Sequence, residues 1–229
     1  MDIIETAFLT AHANWPWLRQ TPKGAGMWQD HRFHVNDQMI GADWLVVYDD
    51  LGGPVETDVP RENRIAVLAE PPGMKLYPAA WLDQFAVVMS PYPVSLRHGR
   101  NIVGQAGLPW FYGVSFGGAG PTQDALSLEA LQALPRPAKR AALSVVCSKK
   151  SRLPKHRARL KFIEYLERQL GSRLAVYGRG FTPIDDKAEA ILPYQYHLVL
   201  ENNDIDNFWT EKLADSLRRH LVATRRPRR

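Results

Sequence analysis

Tyr196-His197-Leu198-Val199-Leu200 is an apolar run of strand length that stops abruptly in Glu201-Asn202-Asn203. A short polar loop follows, Asp204-Ile205-Asp206-Asn207-Phe208-Trp209. A helix is then predicted to open at Thr210, with Leu213 and Leu217 spaced to face a core. Polar groups at the carboxyl end of a buried strand, beside a helix N-terminus, form the usual ligand site of an open α/β sheet. Lys212 falls in the first helical turn, where the macrodipole disfavours a cation by roughly 0.3–1 kcal/mol. An anion such as a phosphate sharing the site reverses the sign of that effect.

The same alternation runs upstream. Leu143 to Cys147 reads as a strand. His156 to Leu170 reads as a helix with Leu160, Ile163, Leu166 and Leu170 on one face and Gly171 as its stop. Leu174 to Tyr177 reads as a strand. Pro135-Arg136-Pro137 is the best linker. The expected organisation is a domain over 1–134, a linker over 135–141, a second domain over 142–217 and a poorly packed basic tail over 218–229. Within the first domain, residues 2–12 are expected to form a helix with Ile4, Phe8 and Leu9 inward, and residues 14–40 to be loops. Ala42 to Tyr48, Arg64 to Ala69 and Ala86 to Met89 read as strands, Tyr77 to Phe85 and Leu126 to Leu134 as helices. Strand–loop–helix–strand order argues for parallel βαβ units in both halves.

A chain of 229 residues with 45% hydrophobic content supports one large domain or two small ones with ordinary cores. No apolar run approaches the ~20 residues of a membrane span. Met1-Asp2-Ile3-Ile4-Glu5 lacks the basic region of a signal peptide. The expectation is a cytoplasmic protein, at most peripheral to the inner membrane. The single cysteine, Cys147, excludes an internal disulfide framework and a Cys-based zinc cluster, and reads as a buried structural thiol. The net charge of +5 is unevenly placed. Lys149, Lys150, Arg152, Lys155, Arg157 and Arg159 form one cluster, and six arginines lie between Arg218 and Arg229. Aromatics do not interleave with these clusters, which argues against nucleic acid. A phosphorylated substrate, or a peripheral contact with an anionic membrane, fits the charge.

Glu201-Asn202, a short loop, an aromatic, one residue and then Thr210-Glu211-Lys212-Leu213 resembles the donor-nucleotide signature of the α-1,3/4-fucosyltransferases, glycosyltransferase family 10. That family typically reads Phe-Glu-Asn-Ser and then Tyr-Val-Thr-Glu-Lys. Here Leu200-Glu201-Asn202-Asn203 and Phe208-Trp209-Thr210-Glu211-Lys212 stand in those places. The resemblance covers most of residues 64–217 and is strongest from about 143 to 213. It implies an α/β GT-B-like fold, two Rossmann-like halves with a cleft between them, as the linker and the restarted alternation also suggest. It implies an inverting transfer of fucose from GDP-fucose to a glycan hydroxyl, with no metal and no further cofactor. The implied acceptor is a bacterial-type surface glycan such as a lipopolysaccharide side chain. Family members continue past the Thr-Glu-Lys helix into a Pro-Ile-Tyr-Tyr-Gly-like strand and loop, where this chain has Arg218-Arg219-His220-Leu221-Val222. The C-terminal half is therefore expected to be incomplete.

The resemblance also assigns roles. Arg159, seven residues before Leu166 as in the family's Arg-x-x-Phe-Tyr-x-x-Leu, would contact the β-phosphate with its bidentate guanidinium. Lys212 would bind the donor's phosphates and Glu211 its ribose, and Asn202 matches the family asparagine. Phe208 keeps the aromatic face of the family tyrosine without its hydroxyl. Gly178-Arg179-Gly180 resembles the family's Gly-Arg-Gly after a strand, though a tight turn explains it equally well. Glu70, ending an apolar strand before Pro71-Pro72, would act as the base on the acceptor hydroxyl. A surface glutamate in a strand-end turn is its ordinary alternative. Glu211 in a first turn is favoured by the helix dipole alone.

Two other motifs compete. Gly113-Val114-Ser115-Phe116-Gly117 has the Gly-x-Ser-x-Gly spelling of a hydrolase nucleophile elbow, which needs a helix directly after the serine. Gly117-Gly118-Ala119-Gly120-Pro121 breaks any helix there, so a strand-end loop is expected. A calcium loop beginning at Asp204 needs glycine at 209 and glutamate at 215, where the chain has Trp209 and Asp215. Trp15, Trp17 and Trp28 are candidates to line a sugar-acceptor cleft. Besides fucosyl transfer, two readings stay open: a truncated fragment that at most binds nucleotide, and a transferase using a different nucleotide sugar.

Overall fold

The computed structural model describes residues 2–105, 107–115, 125–135, 138–139, 141–201 and 203–217. They fall into two compact units. One is Met1–Pro109 with Ser127–Ala130 and Ile205–Phe208; the other is Trp110–Leu126 with Leu131–Asp204 and Trp209–Arg229. Each carries its own sheet, which makes the protein α/β. Asn202, Arg136 and Pro137, and the tail 218–229 lie outside the described residues. Among the described residues no helix is long and apolar enough to cross a membrane.

The first unit holds strands β1 (Ile4–Thr10), β2 (Met27–Trp28), β3 (His31–Val35), β4 (Trp44–Tyr48), β5 (Arg64–Val67), β6 (Val87–Ser90) and β7 (Arg100–Val103). Their spatial order is β2-β3-β1-β4-β5-β6-β7. β2 pairs antiparallel with β3, and the other pairs are parallel. The helix expected over residues 2–12 is instead the strand β1. Ile4, Phe8 and Leu9 fit a helical spacing, but a strand buried on both faces produces the same short apolar run. Ala7 and Leu9 point to one face with Leu45, Val47, Ala66, Leu68 and Val88, where Leu82 and Phe85 cover them. Phe8 points to the other, with Tyr48, Val67 and Trp17. The region expected as loops contains β3, whose His31-Arg32-Phe33-His34-Val35 is too polar to read as a strand. Glu5 of β1 holds it: Arg32 Nη1 donates to Glu5 Oε1 at 2.8 Å and His34 Nε2 meets Glu5 Oε2 at 2.6 Å. The edge strand β7 is tied down by Asn101, whose Nδ2 donates to Val88 O and Ser90 Oγ, both at 2.9 Å. The helix expected from Tyr77 shrinks to α1 (Ala79–Leu82).

In the chain order of helices, α2 (Leu128–Ala133) comes next. The second unit then holds β8 (Ala141–Val146), α3 (Pro154–Leu170), β9 (Leu174–Tyr177), α4 (Lys187–Ile191), β10 (Tyr194–Leu198) and α5 (Glu211–Leu217). Its three strands are parallel in the order β10-β8-β9. Leu160, Ile163, Leu166 and Leu170 of α3 pack with Val145, Cys147 and Leu174, the face their spacing predicts. A fully buried side chain such as Ile163 contributes about 1.5–3 kcal/mol there. Gly171 stops α3 with φ +52°. The short helix α4 has a capping box, Asp186 accepting from Ala188 N–H while Glu189 accepts from the Asp186 N–H.

Candidate functional site

The chain leaves β8 through α3 to reach β9 on one side, then returns through α4 to β10 on the other. The strand order therefore reverses at β8. In open parallel sheets ligands bind outside the carboxyl ends of the strands at such a reversal. The residues there are Cys147 after β8, Glu201 after β10, and the starts of α3 and α5.

Cys147 is buried, as expected of a structural thiol. Burial pushes its pKa up, while Arg159 and Lys212 both pull it down, so these two cations act on the same sulfur. Arg159 lies in the second turn of α3 and is itself buried. Lys212 lies in the first turn of α5. Its Nζ donates to Thr210 Oγ1 at 3.0 Å and to Glu211 Oε1 at 3.2 Å. Thr210 is anchored in turn by Glu201, whose Oε1 accepts the Thr210 N–H at 2.8 Å and whose carboxylate accepts the hydroxyl at 2.9 Å. Glu201, just beyond β10, thus fixes the start of α5.

Behind Lys212 lies a charge network that the sequence did not reveal. Lys187 of α4 donates to Glu211 Oε1 at 3.1 Å and Asp215 Oδ2 at 2.9 Å, and its ammonium lies 4.6 Å from the centre of the Phe111 ring. Asp215 Oδ1 also accepts from the N–H groups of Phe111 and Tyr112, at 3.0 and 3.1 Å. Burial opposes the charge on Lys187, but Asp215 and Glu211 outweigh it and hold its pKa above the ordinary value. Burial likewise opposes the Glu211 carboxylate, yet Lys187 and Lys212 hold its pKa at about 2. Glu211 is therefore a fixed anion that orients Lys212. The one sequence signal for Lys187 was Asp186-Lys187-Ala188-Glu189, the spelling of a capping box.

The glycine turn after β9 is built against the Cys147 loop. Gly178 has φ +111°, and a Cβ there would lie 2.3 Å from the Cys147 carbonyl oxygen. Cys147 N–H donates to Tyr177 O at 2.8 Å and Lys149 N–H to Arg179 O at 3.0 Å. Only glycine fits, and the reason is close backbone approach. The Arg179 side chain is exposed. Arg157, a second basic residue in α3's first turn, folds back to donate to Ser151 O and Arg152 O at 3.1 and 3.3 Å.

Of the other expected site residues, Asn202 lies outside the described residues. Phe208 is buried and groups with the first unit, its N–H donating to Ile205 O at 3.1 Å. Glu70 is exposed just beyond β5. Its N–H donates to the Tyr77 hydroxyl at 3.4 Å and its carbonyl accepts from the Tyr92 hydroxyl at 3.2 Å. Tyr77 donates to Asp49, which also accepts from Lys75 Nζ at 3.0 Å. Burial and Asp49 push the Tyr77 phenol above its ordinary range, so it stays a neutral donor.

Gly113 is buried at φ +73° with its N–H on Asp186 Oδ1 at 3.0 Å, a turn tied to the α4 cap; Phe116 and Gly117 lie outside the described residues. A different Ser–His pair exists, with Ser144 Oγ 2.8 Å from His197 Nδ1 and both side chains buried. Ser144 donates to the Ala190 carbonyl, so its oxygen accepts from the imidazole instead of yielding a proton to it. Burial and Lys187 lower the His197 pKa to about 4. This pair is structural.

No family model, curated protein or solved structure matches the chain.

Proposed function

We propose that this chain is a nucleotide-diphosphate-sugar transferase of GT-B type, and specifically an inverting fucosyltransferase using GDP-fucose. The observation that carries the reading is that α3 and α5, which hold the buried Arg159 and the anchored Lys212 in their first two turns, both start at the edge where the three-stranded sheet reverses its strand order. Two cations fixed at that edge suit a diphosphate. They would bind it and stabilise the charge that develops on the GDP leaving group, with no water reorganisation at the moment of transfer. Glu211, held charged by Lys187, keeps Lys212 in place and is the ribose partner in this reading. Glu70 takes the proton of the attacking acceptor hydroxyl. The Thr-Glu-Lys resemblance supplies the choice of GDP-fucose over other nucleotide sugars.

The test is a donor panel of GDP-fucose, GDP-mannose and UDP-glucose with surface-glycan acceptors, run on the unmodified chain and on Glu70→Gln. Transfer from GDP-fucose alone, lowered at least 100-fold in Glu70→Gln with GDP binding unchanged, is expected from the ~10²–10⁴-fold contribution of a general base. Transfer from another donor shifts the assignment within nucleotide-sugar transferases. Full activity in Glu70→Gln removes Glu70 from the chemistry.

A further inference from the structure

The start of α3 carries an imbalance that Arg159 and Lys212 do not explain. This is a 17-residue helix with no acidic residue in its first turn. Lys155, His156 and Arg157 occupy that turn instead, where the macrodipole disfavours positive charge. Leu153 stands at the N-cap and gives no side-chain hydrogen bond to the leading N–H groups. Two of the three basic side chains are accounted for. Lys155 pairs with Asp204, and Arg157 donates to the Ser151 and Arg152 carbonyls.

His156 is not. Its side chain is more than nine-tenths buried, and among the described residues its Nδ1 makes no hydrogen bond. The charges that act on it are both positive, Arg159 one turn along the same helix and Lys150 from the loop before it. Burial is the largest influence on the ring, and the two cations add to it, so the free imidazole is held neutral below its ordinary pKa. A buried donor or acceptor without a partner costs roughly 1–3 kcal/mol. A helix N-terminus and an unsatisfied buried imidazole nitrogen in its first turn both ask for an acceptor with negative charge.

We infer that the N-terminus of α3 is an oxyanion site at which His156 binds a phosphate-type group and takes up a proton as it does so. The inference rests on the diphosphate reading above and deepens it, adding a proton-linked contact to Arg159. The bound anion cancels the field of Arg159 and Lys150, accepts a hydrogen bond from Nδ1 and makes the imidazolium the favoured form. Donor or product is then held more tightly in mildly acidic solution and released more readily as pH rises.

The test uses sulfate, which keeps its double charge from pH 5 to 8, so any pH dependence belongs to the protein. The His156 ring is followed by NMR in the unmodified chain, its signal assigned by its loss in His156→Gln. With saturating sulfate the ring is expected to titrate at least one unit higher than without it. Sulfate affinity should correspondingly rise about tenfold between pH 8 and pH 5.5, and His156→Gln should flatten that dependence. An unchanged His156 titration, or sulfate affinity independent of pH, overturns the inference. GDP titrated alongside separates the two levels. GDP binding that depends on Lys212 while His156 ignores anions leaves the transferase reading intact and removes this one. A His156 response to sulfate without any tighter binding of GDP keeps the anion site and removes the nucleotide.

Discussion

Replacing Lys187 by methionine isolates the network that positions Lys212. Methionine keeps an unbranched apolar stem beside Phe111 and deletes the charge. Glu211 and Asp215 then lose partners at 3.1 and 2.9 Å, and the Asp215 side chain has no solvent exposure with which to compensate. What remains is Lys212 on Glu211 at 3.2 Å and two backbone N–H groups on Asp215. Removing one partner of a buried ion pair costs about 3–5 kcal/mol, a large share of the ~5–15 kcal/mol that stabilises an ordinary domain. Equilibrium urea unfolding at pH 7 should show the midpoint falling by about 2 M, given a slope of ~1–3 kcal/mol/M. Adding Asp215→Asn removes one stranded charge while its amide oxygen still accepts from Phe111 and Tyr112. The double variant should therefore recover about half of the loss. A loss under ~1 kcal/mol, or no recovery in the double variant, refutes the assignment of Lys187 as the counter-ion of both carboxylates.

Two further outcomes follow from single positions. Gly178→Ala puts a Cβ 2.3 Å from the Cys147 carbonyl at φ +111°, so thermal unfolding should show a loss of at least ~1–3 kcal/mol. Gly53→Ala, with open space around it, should stay within about 0.5 kcal/mol of the unmodified chain. His197 is held at about pKa 4 when folded against an ordinary 6.5. Its neutral burial is fully tolerated above pH 6.5, and the stability is lost as pH falls through 6.5 towards 4. That loss amounts to about 2 kcal/mol between pH 7 and 5. Urea unfolding of His197→Gln over the same interval should show a correspondingly shallower fall, and an equal fall in both proteins contradicts the assignment.

The second unit was largely legible because its core spacing is local. Leu160, Ile163, Leu166 and Leu170 declare α3, and Gly171 ends it. Lys212 was noticeable because it is a cation in the first turn of a helix, a local anomaly that suits an anion, whereas Arg159 lies in the second turn of α3 and was singled out by resemblance alone. Lys187 was not, because its partners lie 24 and 28 residues away and only folding brings them together. The same limit hid β3, whose polar sequence becomes a strand only when Glu5 is supplied by β1. β1 was misread for the opposite reason: its pattern is apolar on two faces, and a run of seven residues does not distinguish strand from helix by periodicity. Gly178 was visible as a turn, but its cause, the Cys147 carbonyl behind it, is a tertiary contact.

The most direct measurement is calorimetric titration of GDP into the unmodified chain and into Lys212→Ala at neutral pH. Lys212 is partly buried and is held by Thr210 and Glu211, so deleting it should weaken GDP binding by roughly 1.5–3 kcal/mol, about 10- to 150-fold. Equal affinity in the two proteins, or no GDP binding by the unmodified chain, contradicts a diphosphate site at Arg159 and Lys212.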